Sequence, residues 1–449
     1  MKQKTNVRNM TQGSPFPILV QFMLPLLLGN LVQQTYNMVD AIIVGRLLGA
    51  DALAAVGTSS SVQFLVLGLC TGSCAGFGIP ISQSFGANDL KRMRLYVWNS
   101  ALCGGAVAAV ITTAASLLCR PILHWIRTPE GIFSDAWLYL LILFLGIPFT
   151  IMYNLLSSIL RAVGNSKMPF LFLTLSSVLN IFLDLLCVAV LGWGCAGAAA
   201  ATIASQAVSG ILCLIYVLKK VTILHPGQEE RQFNSQAASR LMQMGLPMGL
   251  QFSITAIGSM MMQSANNSLG TVYVSAFAAG MRIKQFAMCP YDALAVAAAT
   301  FVGQNCGAGK IDRVRLGIRQ ALALGVTYGI GAGLVLGLFG RQLCALFIGY
   351  GSPEILDAGA FYLFCLSFLF FTLACINVPR SALQSLGYSG RAMISGVLEM
   401  IARSACSILL VPAIGFTGVC VTDQTAWLSA TIYLNITLHF MLKKLDRAS

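Results

Sequence analysis

The chain has 449 residues, of which 57% are hydrophobic and only 10% charged, with a mean hydropathy of +0.78. Soluble domains carry about 25% charged residues, so a chain this poor in charge cannot clothe itself in water and must be wrapped in lipid. The formal charge of +13 comes without the basic patch and interleaved aromatics of a nucleic-acid binder, and no loop is large enough to house a soluble catalytic domain.

Apolar stretches long enough to cross a bilayer as helices recur about twelve times. They cover 15–43, 52–80, 93–119, 133–160, 168–190, 196–219, 237–266, 273–303, 313–339, 355–384, 390–412 and 418–443. Lys2, Lys4 and Arg8 precede the first. The short core and small-residue cleavage site of a signal peptide are not evident, so this stretch reads as an uncleaved span. Breaks fall at Gly49-Ala50-Asp51, Gly86-Ala87-Asn88-Asp89, Thr128-Pro129-Glu130 and Gly351-Ser352-Pro353-Glu354. The longer polar segment 221–236 reads as a cytoplasmic linker between two six-helix bundles, 1–220 and 237–449.

Lys and Arg fix the expected orientation. With the N-terminus inside, the inner loops hold Lys91, Arg92, Arg94, Arg161, Lys167, Lys219, Lys220, Arg231, Lys310, Arg313, Arg315, Arg380, Arg391, Lys443, Lys444 and Arg447. The outer loops hold Arg46, Arg120, Arg127 and Arg341. Both termini are therefore expected in the cytoplasm of a multi-pass protein of the plasma (inner) membrane.

The second half repeats the first. Ser82–Arg94 (SQSFGANDLKRMR) aligns with Gly303–Arg315 (GQNCGAGKIDRVR), and Ile159–Met168 aligns with Ala382–Met393 if two extra residues are allowed. Lys219-Lys220 recurs as Lys443-Lys444, and Pro25 has a counterpart in Pro247. An even number of spans per half makes both halves enter from the same side, which predicts a pseudo-twofold axis along the membrane normal with a cleft between the bundles. Other patterns are structural. Gly192-Trp193-Gly194-Cys195-Ala196-Gly197 fits G-x-G-x-x-G but lies in an outer loop with no preceding strand. Gly325, Gly329, Gly333 and Gly337 form a close-packing helix face. Most of the fourteen Cys sit singly in apolar runs. Cys70 and Cys74 share a face with no further ligand nearby to make a metal site.

Polar groups that lipid would not tolerate are the candidates for function. In the second half Arg282, Lys284, Asp292, Glu399, Arg403 and Asp423 make three bases against three acids, a set that ion pairing can neutralise. In the first half Asp40 and Asp184 lie within spans that contain no Lys or Arg. An isolated buried carboxylate either keeps a proton or holds a cation, so both are candidate carriers of H⁺ or Na⁺. Gln33, Tyr36, Asn37 and Asp40 fall at i, i+3, i+4 and i+7, one polar stripe. Asn180 and Asp184 share a face, and Thr202 in span six lies at matching depth. Carboxylate, amide and hydroxyl oxygens gathered at one depth suit a hard cation or a neutral acid. A satisfied network that only locks helices together is the structural reading of the same residues. Pro25, in the inner part of span one, removes a backbone hydrogen bond and marks a bending point.

These residues resemble the multidrug and toxic compound extrusion (MATE) transporters, in their DNA-damage-inducible-F-like branch. The resemblance is carried by Met38–Arg46 (MVDAIIVGR), Leu48–Gly57 (LGADALAAVG), Gly303–Lys310 (GQNCGAGK) and Leu191–Gly194 (LGWG), and it spans both halves. It implies an all-α polytopic fold and a secondary transporter, not an enzyme, working by alternating access. It also implies export of amphipathic, cationic drug-like compounds against an inward H⁺ or Na⁺ gradient. It assigns the coupling site to Asp40, Asn180, Asp184 and Thr202, and polar positions lining that bundle to Tyr139 and Asn154. Gln33, Tyr36 and Asn37 join these as the expected substrate cavity. No cofactor, no metal beyond Na⁺ and no nucleic acid are implied; the expected partners are small organic substrates and membrane lipid, with the chain acting as a monomer. In another branch a second cation site uses a Glu in span seven and an Asp in span ten. Span seven offers Gln251, Gln263, Asn266 and Asn267 instead, and span ten has no acid. A flippase for lipid-linked saccharides, of the same two-bundle design, is the alternative.

Overall fold

The computed structural model describes residues 7–126, 128–349 and 352–446. Lys2, Lys4, Arg127, Gly351 and Arg447 lie outside the described residues. Helices account for nearly all of the rest: α1 Pro15–Leu48, α2 Ala50–Gly86, α3 Leu90–Trp125, α4 Glu130–Leu145, α5 Ile147–Ala162, α6 Lys167–Asp184 and α7 Gly194–Lys220 in the first half. The second half has α8 Ser235–Asn267, α9 Thr271–Gly307, α10 Ile311–Ile348, α11 Pro353–Leu369, α12 Thr372–Ser385, α13 Ser389–Ile414 and α14 Phe416–Asp446. In lipid a helix is the local solution that pairs its own N–H and C=O groups.

Among the described residues, eight single helices and two bent helix pairs are long and apolar enough to cross a membrane. Helices α8 and α14 match them in length, with 33 and 31 residues, but carry more polar side chains, such as Arg240, Gln251, Asp423 and Asn435. The twelve apolar stretches of the sequence are thus twelve helical elements. The bent pairs are the fourth and tenth spans, equivalent positions of the repeat: α4 and α5 turn by 46° at Gly146, and α11 and α12 by 56°. The break between α11 and α12 lies inside unbroken apolar sequence, whereas Gly146 and Pro148, at the start of α5, mark the one between α4 and α5. The close approach of α7 also requires glycine at this break, since a Cβ on Gly146 would stand 1.9 Å from Ile203 Cδ1. The fifth span also departs from a plain helix: α6 gives way directly after Asp184 to a π-helical turn, Leu185–Val190.

The chain divides into two compact units. One joins Leu24–Ser253 with the described part of the segment ending at Gln12 and with Gly303–Gly309. The other joins Gly13–Met23, Ile254–Val302 and the part beginning at Lys310. Helix α1 is therefore shared, the division falling beside Pro25, although the helix itself continues unbroken from Pro15 to Leu48.

In the first unit the two aligned repeat strings meet each other. A Cβ on Gly86 would stand 1.9 Å from the Gln304 carbonyl oxygen, and one on Gly307 would stand 1.9 Å from that of Gln83. These are reciprocal contacts between equivalent positions, and only glycine allows them. The turn that follows puts Asn88 at φ 58° in the first copy and Gly309 at φ 69° in the second, the left-handed conformation that Gly and Asn tolerate best. Asp89 then caps α3 by accepting from the Arg92 N–H at 2.9 Å. The same place is tied to the N-terminal segment. The Met10 N–H donates to Gln304 Oε1 at 2.8 Å, and Gln304 Nε2 donates to the Ala162 carbonyl at 2.9 Å. Asn305 Nδ2 donates to the Met10 carbonyl at 3.3 Å. Met10, Gln304 and Asn305 are all fully buried.

In the second unit the glycine face of α10 packs as its spacing predicts. A Cβ on Gly325 would meet Ala374 Cβ at 2.7 Å, one on Gly329 the Phe371 Cα at 2.5 Å, and one on Gly333 the Ser367 carbonyl at 2.6 Å.

Candidate functional site

The first unit places the two unpaired acids together. Asp40 and Asp184 lie within mutual electrostatic reach, and both act on Tyr36 and Tyr139. Asp184 is completely buried and Asn180, one turn earlier on α6, nearly so. Asn180 Nδ2 donates to Thr202 Oγ1 of α7 at 3.5 Å, which ties the fifth and sixth spans together at this depth. Counting from Gly194, Thr202 lies about 12 Å along its helix. Four oxygens here are buried and accept no hydrogen bond from the protein: Asp40 Oδ1, Asn180 Oδ1 and both carboxylate oxygens of Asp184. Buried acceptors left open in this way are rare in folded proteins and carry a free-energy cost.

No ion pair among the described residues involves either acid. The basic side chain in the last turn of α5, Arg161, donates instead to Ser158 Oγ at 2.9 Å. Val44, Ala52, Leu143, Val188, Ala198 and Ala199 pack into one buried cluster with Cys195 and Tyr139, and Tyr139 is the member that senses both acids. The π-turn begins at the residue after Asp184, which interrupts the regular i to i+4 ladder at the carboxylate.

The remaining candidates divide. Tyr36 is half-buried and interacts with Gln33 as well as the acids. Gln33 and Asn37 are exposed, Tyr139 is buried, and Asn154 is half-buried. Asn154 Nδ2 is committed to the Thr150 carbonyl of its own helix at 2.8 Å. Sequence reasoning passed over a bond between α5 and α7, Thr150 Oγ1 to Gln206 Oε1 at 2.5 Å. Its signal was available, because Gln206 follows Thr202 by four residues and so continues the same polar face.

The second unit holds a different arrangement, and the balance of three bases against three acids needs correcting. Lys284 Nζ pairs with Asp423 Oδ2 at 2.6 Å, and Arg403 Nε reaches Asp423 Oδ1 at 3.1 Å. Arg403 Nη2 lies 3.7 Å from Glu399 Oε2, and Arg380 pairs with Glu399 Oε1. Tyr362 donates to Asp423 Oδ2 at 3.4 Å. Arg282 and Asp292 are exposed and outside this network. Arg282 is two residues from Lys284, so the two face different sides of α9, and Asp292 lies two turns, about 12 Å, farther along. Arg380, read from sequence as a loop residue, joins from α12. The set is three bases and two acids. Gln251, the polar residue of span seven nearest its middle, is buried, whereas Gln263 bonds Asn267 at 2.8 Å near the exposed end of α8.

The MatE family model matches residues 25–186 and 247–408, two stretches that start 222 residues apart (247 − 25) and agree with the Pro25 and Pro247 correspondence. Two curated relatives come from Bacillus subtilis (strain 168). The chain is 32% identical over 360 residues to the probable multidrug resistance protein YpnP, covering 80% of each. It is 28% identical over 334 residues to the probable multidrug resistance protein YoeA, covering 73% of this chain and 72% of that one. Among solved structures, the outward-facing conformation of a multidrug resistance MATE family transporter of the MOP superfamily superposes with a TM-score of 0.92. It does so over 100% of both chains at 21% identity, which is a likeness of fold.

Proposed function

Because this chain belongs to the MATE family, and is a membrane transporter rather than an enzyme, we propose that it is a cation-coupled antiporter exporting amphipathic, cationic drug-like compounds. The observation that carries the proposal is the pair of acids, Asp40 and Asp184, whose buried oxygens find no base and, apart from each other, no hydrogen-bond partner in the protein. Two carboxyl groups side by side in low dielectric hold a proton or a metal cation between them, since two bare charges there repel and are poorly solvated. Na⁺ would find carboxylate, amide and hydroxyl oxygens from Asp40, Asn180, Asp184 and Thr202. H⁺ would find a carboxyl pair that shares it.

Coupling then follows from one two-state element answering to two ligands. Taking up a cation neutralises the acids and favours the state that has released substrate; losing it to the inside restores the state that binds the next. Gln33, Tyr36 and Asn37 lie on the Asp40 stripe, and Tyr139 stands against both acids, so a change of charge there reaches the residues assigned to the substrate cavity. Pro25 is the natural bending point of α1, because its missing N–H weakens the helix at one place. The halves 1–220 and 237–449 act as the two bundles, joined by the segment 221–236. The chain works as a monomer in the plasma membrane with both termini in the cytoplasm, on the distribution of Lys and Arg. Multidrug relatives lend the lipid-linked saccharide reading no support.

The test is substrate efflux from proteoliposomes with Na⁺ and pH gradients imposed separately. Efflux should follow one of the two gradients and be lost in Asp40→Asn and Asp184→Asn. Gradient-driven efflux that survives in both variants overturns the site assignment.

A further inference from the structure

We propose that the second unit contains an anion-binding site centred on Arg403, which takes one monovalent anion, either an inorganic ion or the carboxylate of an organic compound.

The argument begins with charge. Lys284, Arg380 and Arg403 face Asp423 and Glu399 in a continuous chain of contacts. Moving a proton from Lys284 to Asp423 within their pair changes nothing in the sum, and the arginines stay charged. One positive charge is left over. Lys284, Glu399, Arg403 and Asp423 are all more than nine-tenths buried and cancel one another; the surplus charge comes from Arg380 of α12, whose side chain is 14% exposed, so bulk water compensates it only in part.

Hydrogen bonding points to the same place. Arg403 Nη1 is buried and donates to nothing, while its Nε and Nη2 face acids. A guanidinium edge with a free, buried N–H is what a carboxylate or halide recognises. One turn further along α13, Ser407 is also buried and its Oγ has no partner. Residues four apart share a helix face, so the two open groups lie on the same side of α13. Of the contacts in the network, the one from Arg403 to Glu399 is the longest at 3.7 Å, and it is the one an arriving anion can most easily displace. This proposal is independent of the cation site: the acids of the first unit play no part in it.

The experiment is equilibrium binding of radiolabelled chloride, and separately of benzoate, to the purified full-length protein in detergent with gluconate as the inert counter-ion. Wild type should bind one of these probes saturably. Arg380→Gln removes the surplus charge and should weaken binding at least tenfold, and Glu399→Gln adds a second surplus charge and should strengthen it by a similar factor. Saturable chloride binding that benzoate does not displace identifies an inorganic anion; mutual competition identifies the carboxylate of an organic ligand. Each supports the site. No saturable binding of either probe by wild type overturns it and means the network sheds a proton instead. If Arg380→Gln is misfolded by size-exclusion chromatography, Glu399→Gln decides alone, and unchanged affinity there overturns the proposal.

Discussion

Replacing Gln304 with Ala should release the N-terminal segment from the first unit. The side chain joins that segment to α5 by accepting from the Met10 N–H and donating to the Ala162 carbonyl. It is fully buried, as is Met10, so water cannot take over either bond while the segment stays docked. Leaving one donor and one acceptor unpaired costs about 1–2 kcal/mol each, or about 2–4 kcal/mol together. At about 1.4 kcal/mol per factor of ten, the undocked population should rise by roughly 30-fold to several hundred-fold. Arg8 provides the readout, because its own N–H is held by the Val163 carbonyl at 3.1 Å in the docked state and trypsin cleaves after arginine. The initial rate of cleavage after Arg8, followed by intact-mass spectrometry on detergent-solubilised protein, should increase by that factor when docking is fast relative to cleavage. A rate equal to wild type would refute the reasoning, since it would mean that these two bonds do not govern docking.

Asp184→Asn should abolish gradient-driven efflux while leaving substrate binding measurable, because it removes the carboxylate and keeps the shape. Thr202→Ala removes one oxygen and the partner of Asn180, so efflux should persist with a weaker apparent affinity for the coupling cation, read from its concentration dependence. Gly329→Ala should lower the thermal midpoint, the new Cβ falling 2.5 Å from Phe371 Cα at a cost of about 1–3 kcal/mol. Gly331→Ala on the same helix has open space and should be neutral or mildly stabilising, by up to about 1 kcal/mol. Lys91→Ala breaks a 2.5 Å pair with Glu229, but both side chains are some three-quarters exposed, so the melting temperature should not move.

The features legible in the sequence were those set by local chemistry. Span length, the repeat strings and the glycine face of α10 each follow from one segment read alone, and each reappears as helix, seam or packing contact. Helix rise put Thr202 at the depth of Asp184, and the structure bonds Thr202 to Asn180, one turn from that acid. The features missed depend on a partner from elsewhere in the chain. The break between α11 and α12 lies in unbroken apolar sequence, and the π-turn after Asp184 has no residue signature. Arg380 looked like a loop cation until the bend between α11 and α12 brought it against Glu399. Likewise Arg282 and Asp292 looked like partners because they share a helix with Lys284; helical phase separates Arg282 from the network, and two turns of helix rise separate Asp292.

The repeat therefore carries opposite charge in its two copies. Duplication supplies two bundles with one backbone plan, shown in the equivalent breaks of the fourth and tenth spans and in the reciprocal contacts of Gly86 and Gly307. It does not constrain the polar residues, since those are held by side-chain partners that each copy can change alone. The acids of the first copy, Asp40 and Asp184, have no ion-paired base among the described residues, while the network of the second has three bases and two acids. A buried charge imbalance is costly in lipid, and each copy can relieve its own only by binding an ion of the opposite sign or by moving a proton. On the two proposals made above, the first half answers its imbalance with a cation and the second with an anion, the sign being set separately in each.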